Sequence, residues 1–391
     1  MPARSAVLIN RAYPPYPGET GRLTRDLAHA LARDGWTVRI VCAGDQDLDH
    51  TDGPVQVLRR RAIGQRTLDL HPPLRAIARL LNTLPPTDVA VTLTDPPLLP
   101  LVSEAVHGRF GRWVHWCQDV YPDLLPWVGI PASPAQQAAW SARMARAMDA
   151  HATVVVIGDC MKRALIDRGV DPGKVHVLPN WPRLTTTAAW DRPCSKGKLR
   201  IAYSGSLTGV HGVATIGRLL IKLKAELPND DIAAYLSDRD QSHLKAALSP
   251  FPTPLWPAIR PAVRMDRLRR HLAEIDLQLA AIAEGASGLL LPSKIGQALA
   301  GGRRVLYIGP RESDAAGLVT RAGGSNRLAF APSDVAAIPI DAMRASAAEP
   351  PPRPFDPGAN SLARLVSLVA DTQGDRFGQW APPQMDDRVH G

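Results

Sequence analysis

Apolar and polar positions along the chain alternate between two rhythms. Short apolar runs of strand length recur between longer stretches whose apolar residues fall three and four apart. The first run is Ser5–Asn10 (SAVLIN), followed by a Pro/Gly loop at Tyr13–Gly21 (YPPYPGETG). Leu23, Leu27, Ala30 and Leu31 then form a helical stripe that ends near Gly35, and Trp36–Cys42 (WTVRIVC) reads as a second strand. Strand, glycine loop, helix and strand in that order make a βαβ unit, which implies a parallel sheet. The rhythm continues through Val89–Leu93, Trp113–Cys117 and Thr153–Ile157, each expected to be a buried strand.

A second series starts after the Pro- and Trp-containing segment Pro179–Pro193. Leu199–Ser204 reads as a strand, Gly205–Gly212 as a glycine-bearing loop and Val213–Leu227 as a helix. Later strands are expected at Ile232–Leu236, Leu277–Ile282 and Arg304–Ile308. The Pro- and Ala-rich stretch Asp341–Pro357 reads as a loose connector, Ser361–Ala370 as a short helix, and the residues from Gly374 as a frayed tail. The expected class is therefore α/β, with two doubly wound Rossmann-like domains facing a central cleft. Residues 1–180 form the first, 181–358 the second, and 359–391 a C-terminal helix and tail, with a linker near 181–198. Such domains turn the carboxyl ends of both parallel sheets toward a shared cleft, where ligands bind and helix N-termini offer N–H groups to anions.

Composition narrows the picture. At about 150 residues per domain, 391 residues suggest two to three domains. With 45% apolar and 21% charged residues, a largely disordered chain is excluded. No apolar run approaches the roughly 18 residues of a membrane span; Val89–Val102 and Ile275–Leu291 are interrupted by Asp, Pro, Glu or Gly. No signal-peptide pattern follows Met1, so a cytoplasmic protein is expected. Cys42, Cys117, Cys160 and Cys194 stand apart, with no zinc-ribbon or disulfide spacing. The net charge of +9 is spread along the chain: residues 1–180 carry 20 basic against 17 acidic side chains, and 181–391 carry 26 against 20. That pattern lacks the basic stripe of a nucleic-acid binder, and fits either a solvated surface or one that favours anionic lipid and phosphorylated substrates.

The chemistry must come from the loops. Pro14–Arg22 is not Gly-x-Gly-x-x-Gly, and Cys42-Ala43-Gly44 stands where a dinucleotide site would place its ribose-binding carboxylate. What remains is either a plain turn or a floor for a phosphate or sugar, with Gly18 and Gly21 permitting close backbone approach and Arg22 in the first helical turn.

In order along about residues 5–325, several segments carry a resemblance. Pro14–Arg22 resembles the PPxxGG-type loop of family-4 glycosyltransferases of the GT-B fold. Thr94-Asp95-Pro96-Pro97 and Gln118–Asp123 (QDVYPD) are similar to the TDPP and QDLYPD segments of capsule, O-antigen and colanic-acid members. Val155–Ala164 (VVIGDCMKRA) with Val177–Trp181 (VLPNW) resembles their VIGE-M and IPNW stretch. Tyr203–Leu207 (YSGSL) and Pro292–Ile295 running to Gly302 resemble YSGNLG and PSKLYEYLAAG. The resemblance implies metal-independent transfer of a sugar from a nucleotide-sugar co-substrate, with retention at the anomeric carbon and no other cofactor. It implies that the second domain holds the nucleotide and the first domain much of the acceptor. The leading acceptor is a lipid-linked glycan at the inner membrane face, reached by peripheral contact with anionic lipid; a soluble small molecule is the runner-up. An epimerase or a non-catalytic nucleotide-sugar-binding protein of the same fold are the rivals. The chain also departs from the pattern. Ser206 and His211 lie near the places of an Arg and a Lys, Leu289 and Gln297 stand where paired glutamates are common, and Gln118 replaces a frequent histidine before the aspartate.

Pro292-Ser293-Lys294 is the most informative site. Proline ends the preceding strand, Ser293 is placed to cap the helix Lys294–Gly301, and Lys294 puts an ammonium at the positive end of that helix. A cation there is disfavoured unless an anion such as a diphosphate neutralises both. Gln297, one turn on, is placed for ribose hydroxyls or for plain exposure. The loop Gly205–Gly212 is expected to supply N–H groups to the diphosphate through Gly205 and Ser206, with His211 as a cationic supplement. Asp119 is expected in the cleft, positioning an acceptor hydroxyl or stabilising an oxocarbenium-like centre, against a simple turn-forming role. Asn180 is a hinge or cleft contact, and Glu284, with Gly285–Gly288, a contact to the donor sugar. The arginines 264, 267, 269 and 270 read as a solvated face or a lipid-phosphate patch, over an apolar side of Leu268, Leu272 and Ile275. Trp113, Trp116, Trp127 and Tyr121 are core residues or a stacking platform for a sugar or lipid.

Overall fold

The computed structural model describes residues 3–16, 18–64, 71–106, 108–183, 198–322, 328–348 and 354–371. The first lobe is built on an eight-stranded sheet of β1 (Ser5–Ile9), β2 (Thr37–Ala43), β3 (Leu48–Asp52), β4 (Val55–Arg60), β5 (Thr87–Thr92), β6 (Phe110–Cys117), β7 (Thr153–Val156) and β8 (Val175–Val177). Its order is β3-β4-β2-β1-β5-β6-β7-β8, parallel except for the β3–β4 edge. The second lobe holds a six-stranded parallel sheet of β9 (Arg200–Ser204), β10 (Asp231–Leu236), β11 (Ala258–Pro261), β12 (Leu277–Ala281), β13 (Arg304–Ile308) and β14 (Ala329–Phe330), in the order β11-β10-β9-β12-β13-β14.

The central strands are nearly all apolar because both faces are covered. Along β1, Ala6 and Leu8 pack on one side with Leu23, Leu27 and Leu31 of the helix Glu19–Arg33. Val7 and Ile9 point to the other side, against Ile63, Ile77 and Leu81. Every strand expected from the apolar runs is present. The strands that the pattern does not reveal, β3, β4, β8, β11 and β14, lie toward the sheet margins, and most are short or polar. β3 (LDHTD) exposes most of its residues and β14 has two, so neither carries a period-2 apolar signal.

The helix Ser361–Ala370 returns to the first lobe, where Leu365 and Val369 join the core beside Leu27. The expected loose connector is helical over Ile340–Ala348, with Met343 buried; its Pro-rich remainder around 349–353 lies outside the described residues. So do most of the expected linker (184–197), Cys194 and the tail from Gly374. The chain crosses between lobes at Asn180–Arg183 and again before Ser361. The two crossings are pressed together: a Cβ on Gly358 would lie 2.5 Å from the Trp181 nitrogen. Among the described residues, no helix is long and apolar enough to cross a membrane.

Candidate functional site

A cavity of about 490 Å³ opens between the lobes. It is bordered by the carboxyl ends of β6 and β9 and by the first residues of the helices Glu19–Arg33 and Ser293–Ala300. Nine of the twelve sequence-predicted residues line it: Gly18, Asp119, Asn180, Gly205, Ser206, His211, Ser293, Lys294 and Gln297. Gly21, Arg22 and Glu284 do not.

Lys294 sits where the strand-to-helix turn after Pro292 delivers it. Its Nζ donates to Tyr203 Oη at 2.5 Å and to the Ser206 carbonyl at 3.0 Å, and it lies 4.0 Å from the Tyr203 ring centroid. Loss of water around the ammonium lowers its pKa to about 7, opposed by the charge of Asp240. The helix begins one residue earlier than expected. Pro292 is its N-cap and makes no side-chain cap, so Ser293 is the first helical residue, exposed, and not the capping residue. That start therefore lacks the serine cap, and its first-turn amides border the cavity beside a lysine. Gly205, at φ +108°, turns the chain sharply out of β9 in a conformation that L side chains rarely adopt. A Cβ there would come within 3.7 Å of the Lys294 side chain.

His211 lines the same wall but not as a cation. Its Nδ1 accepts from the Thr208 amide at 3.2 Å, which leaves the ring proton on Nε2, and burial followed by the charge of Lys294 holds its pKa well below 6.5. It is a neutral donor, and Lys294 carries the positive charge on this side of the cavity.

On the opposite wall, the end of β6 brings Gln118 and Asp119 into the cleft. Burial, reinforced by Asp95, raises the Asp119 carboxyl to about 7. Its backbone pairs with Leu290 across the seam, and the Val120 amide donates to the Leu289 carbonyl at 2.7 Å. Gln118 is 4% exposed and accepts from Asn180 Nδ2 at 2.6 Å.

The expectations for four further site residues are corrected: Gly21, Arg22, Glu284 and Gln297. The helix Glu19–Arg33 absorbs the end of the predicted loop, so Gly21 and Arg22 belong to its first turns. A Cβ on Gly21 would meet the Ala12 backbone at 3.0 Å, so the glycine serves packing. Arg22 is spent on Glu19 at 2.5 Å, Asp26 at 2.7 Å and the Trp181 carbonyl at 2.7 Å, which ties the helix to the crossing chain. Glu284 lies on an exposed 3₁₀ turn outside the cavity. Gln297 lines the cavity, yet both ends of its amide are taken: Oε1 accepts from the Arg183 amide at 3.1 Å and Nε2 donates to Glu19 Oε1 at 3.2 Å. It joins the lobes in this conformation.

Of the four aromatic residues, Tyr121 lines the cavity. Trp116 is buried and stacks on Trp181 at 5.5 Å, Trp113 packs edge-on against Phe110, and Trp127 fits against Gly209 and Gly285 of the other lobe. The four arginines are exposed; Arg264 and Arg267 precede the short helix Leu268–Ala273, Arg264 pairs with Asp266, and Arg270 pairs with Glu274. Leu272 and Ile275 are buried beneath them. Sequence reasoning missed Tyr203 as the partner of Lys294, Gln118 as a cavity residue in its own right, and an apolar end of the cavity formed by Val263, Met265, Leu268 and Leu272. Proximity in the fold creates these groupings, and no sequence spacing signals them.

Residues 18–181 match the family model described as a glycosyl transferase 4-like domain. No curated protein sequence matches the chain. Among solved structures, WaaG, a glycosyltransferase involved in lipopolysaccharide biosynthesis, is similar with a TM-score of 0.63 at 14% identity, over 93% of this chain and 99% of that one. An α,α-trehalose-phosphate synthase (UDP-forming) from Burkholderia vietnamiensis gives 0.61 at 16%, over 94% and 95%. A putative UDP-N-acetylglucosamine 2-epimerase from Listeria monocytogenes gives 0.55 at 12%, over 94% and 96%. The fold is thus GT-B, shared here by transferases and by an enzyme described as an epimerase.

Proposed function

We propose that this protein is a glycosyltransferase that moves a sugar from a nucleotide-diphosphate donor to a hydroxyl acceptor, with retention and without a metal. The observation that carries the reading is the meeting of Lys294, an uncapped helix start and the Gly205 turn on one wall of an interlobe cavity. Amides and an ammonium held in place before reaction suit a leaving diphosphate, whose charge grows as the glycosidic bond breaks. The family match over residues 18–181 supports the same class.

In this reading the diphosphate lies against Ser293, Lys294 and Ser206, with the base toward Val263, Met265, Leu268 and Leu272. His211 donates as a neutral imidazole. Asp119 faces the reacting centre and orients or deprotonates the acceptor hydroxyl. The seams at Leu289–Leu290 and at Gln297–Glu19 exclude water from the bond being transferred, which favours transfer over hydrolysis. The acceptor we favour is a lipid-linked glycan in cell-surface polysaccharide synthesis, met by a cytoplasmic enzyme at the inner membrane face.

A panel of UDP-, GDP- and dTDP-sugars scored by nucleotide-induced thermal shift, then by product formation with extracted lipid-linked acceptors, tests this. A donor that stabilises the protein and is consumed only with acceptor supports transfer. Conversion of donor alone to its epimer assigns the rival activity, and binding without product from any donor assigns a non-catalytic role.

A further inference from the structure

Behind the wall that carries Lys294 lies a buried carboxylate that the proposed mechanism leaves unused. Asp240 is 6% exposed, and among the described residues no basic side chain lies in ion-pair contact with it. It is the third residue of the helix Asp238–Leu248, whose cap is Ser237. An acidic side chain at that position commonly folds back onto the cap's own amide. Asp240 Oδ2 accepts instead from the Leu207 amide at 3.3 Å, 33 positions back in the loop after β9.

The same peptide unit is held from its other end. The Ser206 carbonyl accepts from Tyr203 Oη at 2.7 Å and from Lys294 Nζ at 3.0 Å. The Ser206–Leu207 peptide therefore has an ammonium on its oxygen and a carboxylate on its N–H. A buried charge without a counter-ion destabilises a fold, and here the two charges offset each other across one peptide dipole, where water screens little. The other groups that face Lys294 offer no charge to replace Asp240. Tyr203 and Ser206 are neutral, burial keeps His211 neutral, and Ser293 and Gln297 come from its own helix. Across the cavity, Glu19 is paired with Arg22, and Asp119 lies on the opposite wall.

We propose that Asp240 is a positioning residue for Lys294: gripping the loop from behind, its carboxylate keeps the ammonium charged and fixed at the cavity wall. The catalytic consequence rests on the glycosyltransferase reading. The inference deepens that reading by placing control of Lys294 on a residue that does not line the cavity.

Asp240→Asn tests this, because it keeps the size and the acceptor oxygen and removes the charge. Reductive methylation of Lys294 with formaldehyde and cyanoborohydride, followed against pH by peptide mass spectrometry, gives the titration midpoint of the ammonium in the ligand-free protein. That midpoint should fall by about one pH unit or more in Asp240→Asn, the usual effect of losing a nearby opposite charge. The basic limb of kcat/KM should move down with it. Asp240→Glu retains the charge and should keep both near their wild-type values. An unmoved midpoint in Asp240→Asn overturns the proposal and makes Asp240 a loop cap alone. A midpoint that moves while the basic limb stays overturns it too, since Lys294 then does not govern that limb. Should Asp240→Asn fail to fold, Asp240→Glu decides: a midpoint that falls although the charge is kept is the overturning result. If the wild type turns over no donor, the functional reading fails, and the methylation arm still decides whether Asp240 governs Lys294.

Discussion

Asp314 of the second lobe caps a helix that belongs to the first, and Gly158 leaves the room for it. The helix Asp159–Ile166 has Gly158 at its N-cap and no side-chain cap of its own. Asp314 supplies one from across the seam, accepting from the Asp159 amide at 3.1 Å and from the Cys160 amide at 2.8 Å. A Cβ on Gly158 would overlap Asp314 Oδ2. The carboxylate compensates the positive helix end, and the contact exists only while the lobes are together.

Gly158→Ala should therefore push the Asp314 carboxylate off the helix, and Asp314→Ala should remove the same two bonds. Each is expected to cost about 1 kcal/mol, the usual worth of an N-cap. Each should also widen the scattering profile toward an opened pair of lobes. Because both changes break one contact, the double variant should be no worse than either single one. Calorimetric melting with small-angle X-ray scattering measures this, and additive losses would refute the shared contact.

Lys294→Ala should lower turnover by roughly 10²- to 10³-fold, the typical loss on removing one preorganised group that stabilises a leaving charge. The ligand-free melting temperature should hold or rise, since the half-buried ammonium is disfavoured by its surroundings. Steady-state rates and melting curves on one preparation check both. Wild-type turnover would remove Lys294 from the mechanism.

The pH profile of kcat/KM should be a narrow bell centred near 7. Asp119, raised to about 7, must lose its proton to act on a hydroxyl, so activity rises with pH through that value. Lys294, lowered to about 7, must keep its proton to meet the diphosphate, so activity falls as pH climbs past it. Bound diphosphate favours the charged ammonium, so the basic limb of kcat should lie at higher pH than that of kcat/KM. Asp119→Asn should abolish the acid limb while leaving the basic one.

Two buried histidines of the first lobe contribute to the loss of stability in acid. Burial lowers His115 to about 3 and His151 to about 4, both below the ordinary 6.5 of an unfolded chain. The unfolded state therefore takes up these protons first. Their contribution is complete above pH 6.5 and drains as pH falls toward 4 and then 3. His151 Nδ1 donates to the Ala147 carbonyl at 2.5 Å while its Nε2 is unpartnered, so His151→Leu gives up one local bond. That variant should flatten the decline by up to one proton, about 1.4 kcal/mol per pH unit, in urea titrations between pH 7.5 and 5.

The sequence by itself determined the two-lobed α/β plan, because strands buried on both faces must be apolar throughout and the helices between them must carry stripes. Ser5–Ile9, Thr153–Val156 and Leu277–Ala281 are legible for that reason. It also placed Lys294, Gly205 and Asp119 at the cavity, since strand ends and glycine turns in such folds converge there. Only the tertiary structure decided what each neighbour does. Arg22 looked free for an anion until Glu19, Asp26 and the Trp181 carbonyl surrounded it, and Gln297 until Glu19 and Arg183 took both its ends. His211 looked cationic until burial beside Lys294 made the charge too costly. Charge state and hydrogen-bond occupancy depend on groups distant along the chain, and periodicity along one segment carries no record of them.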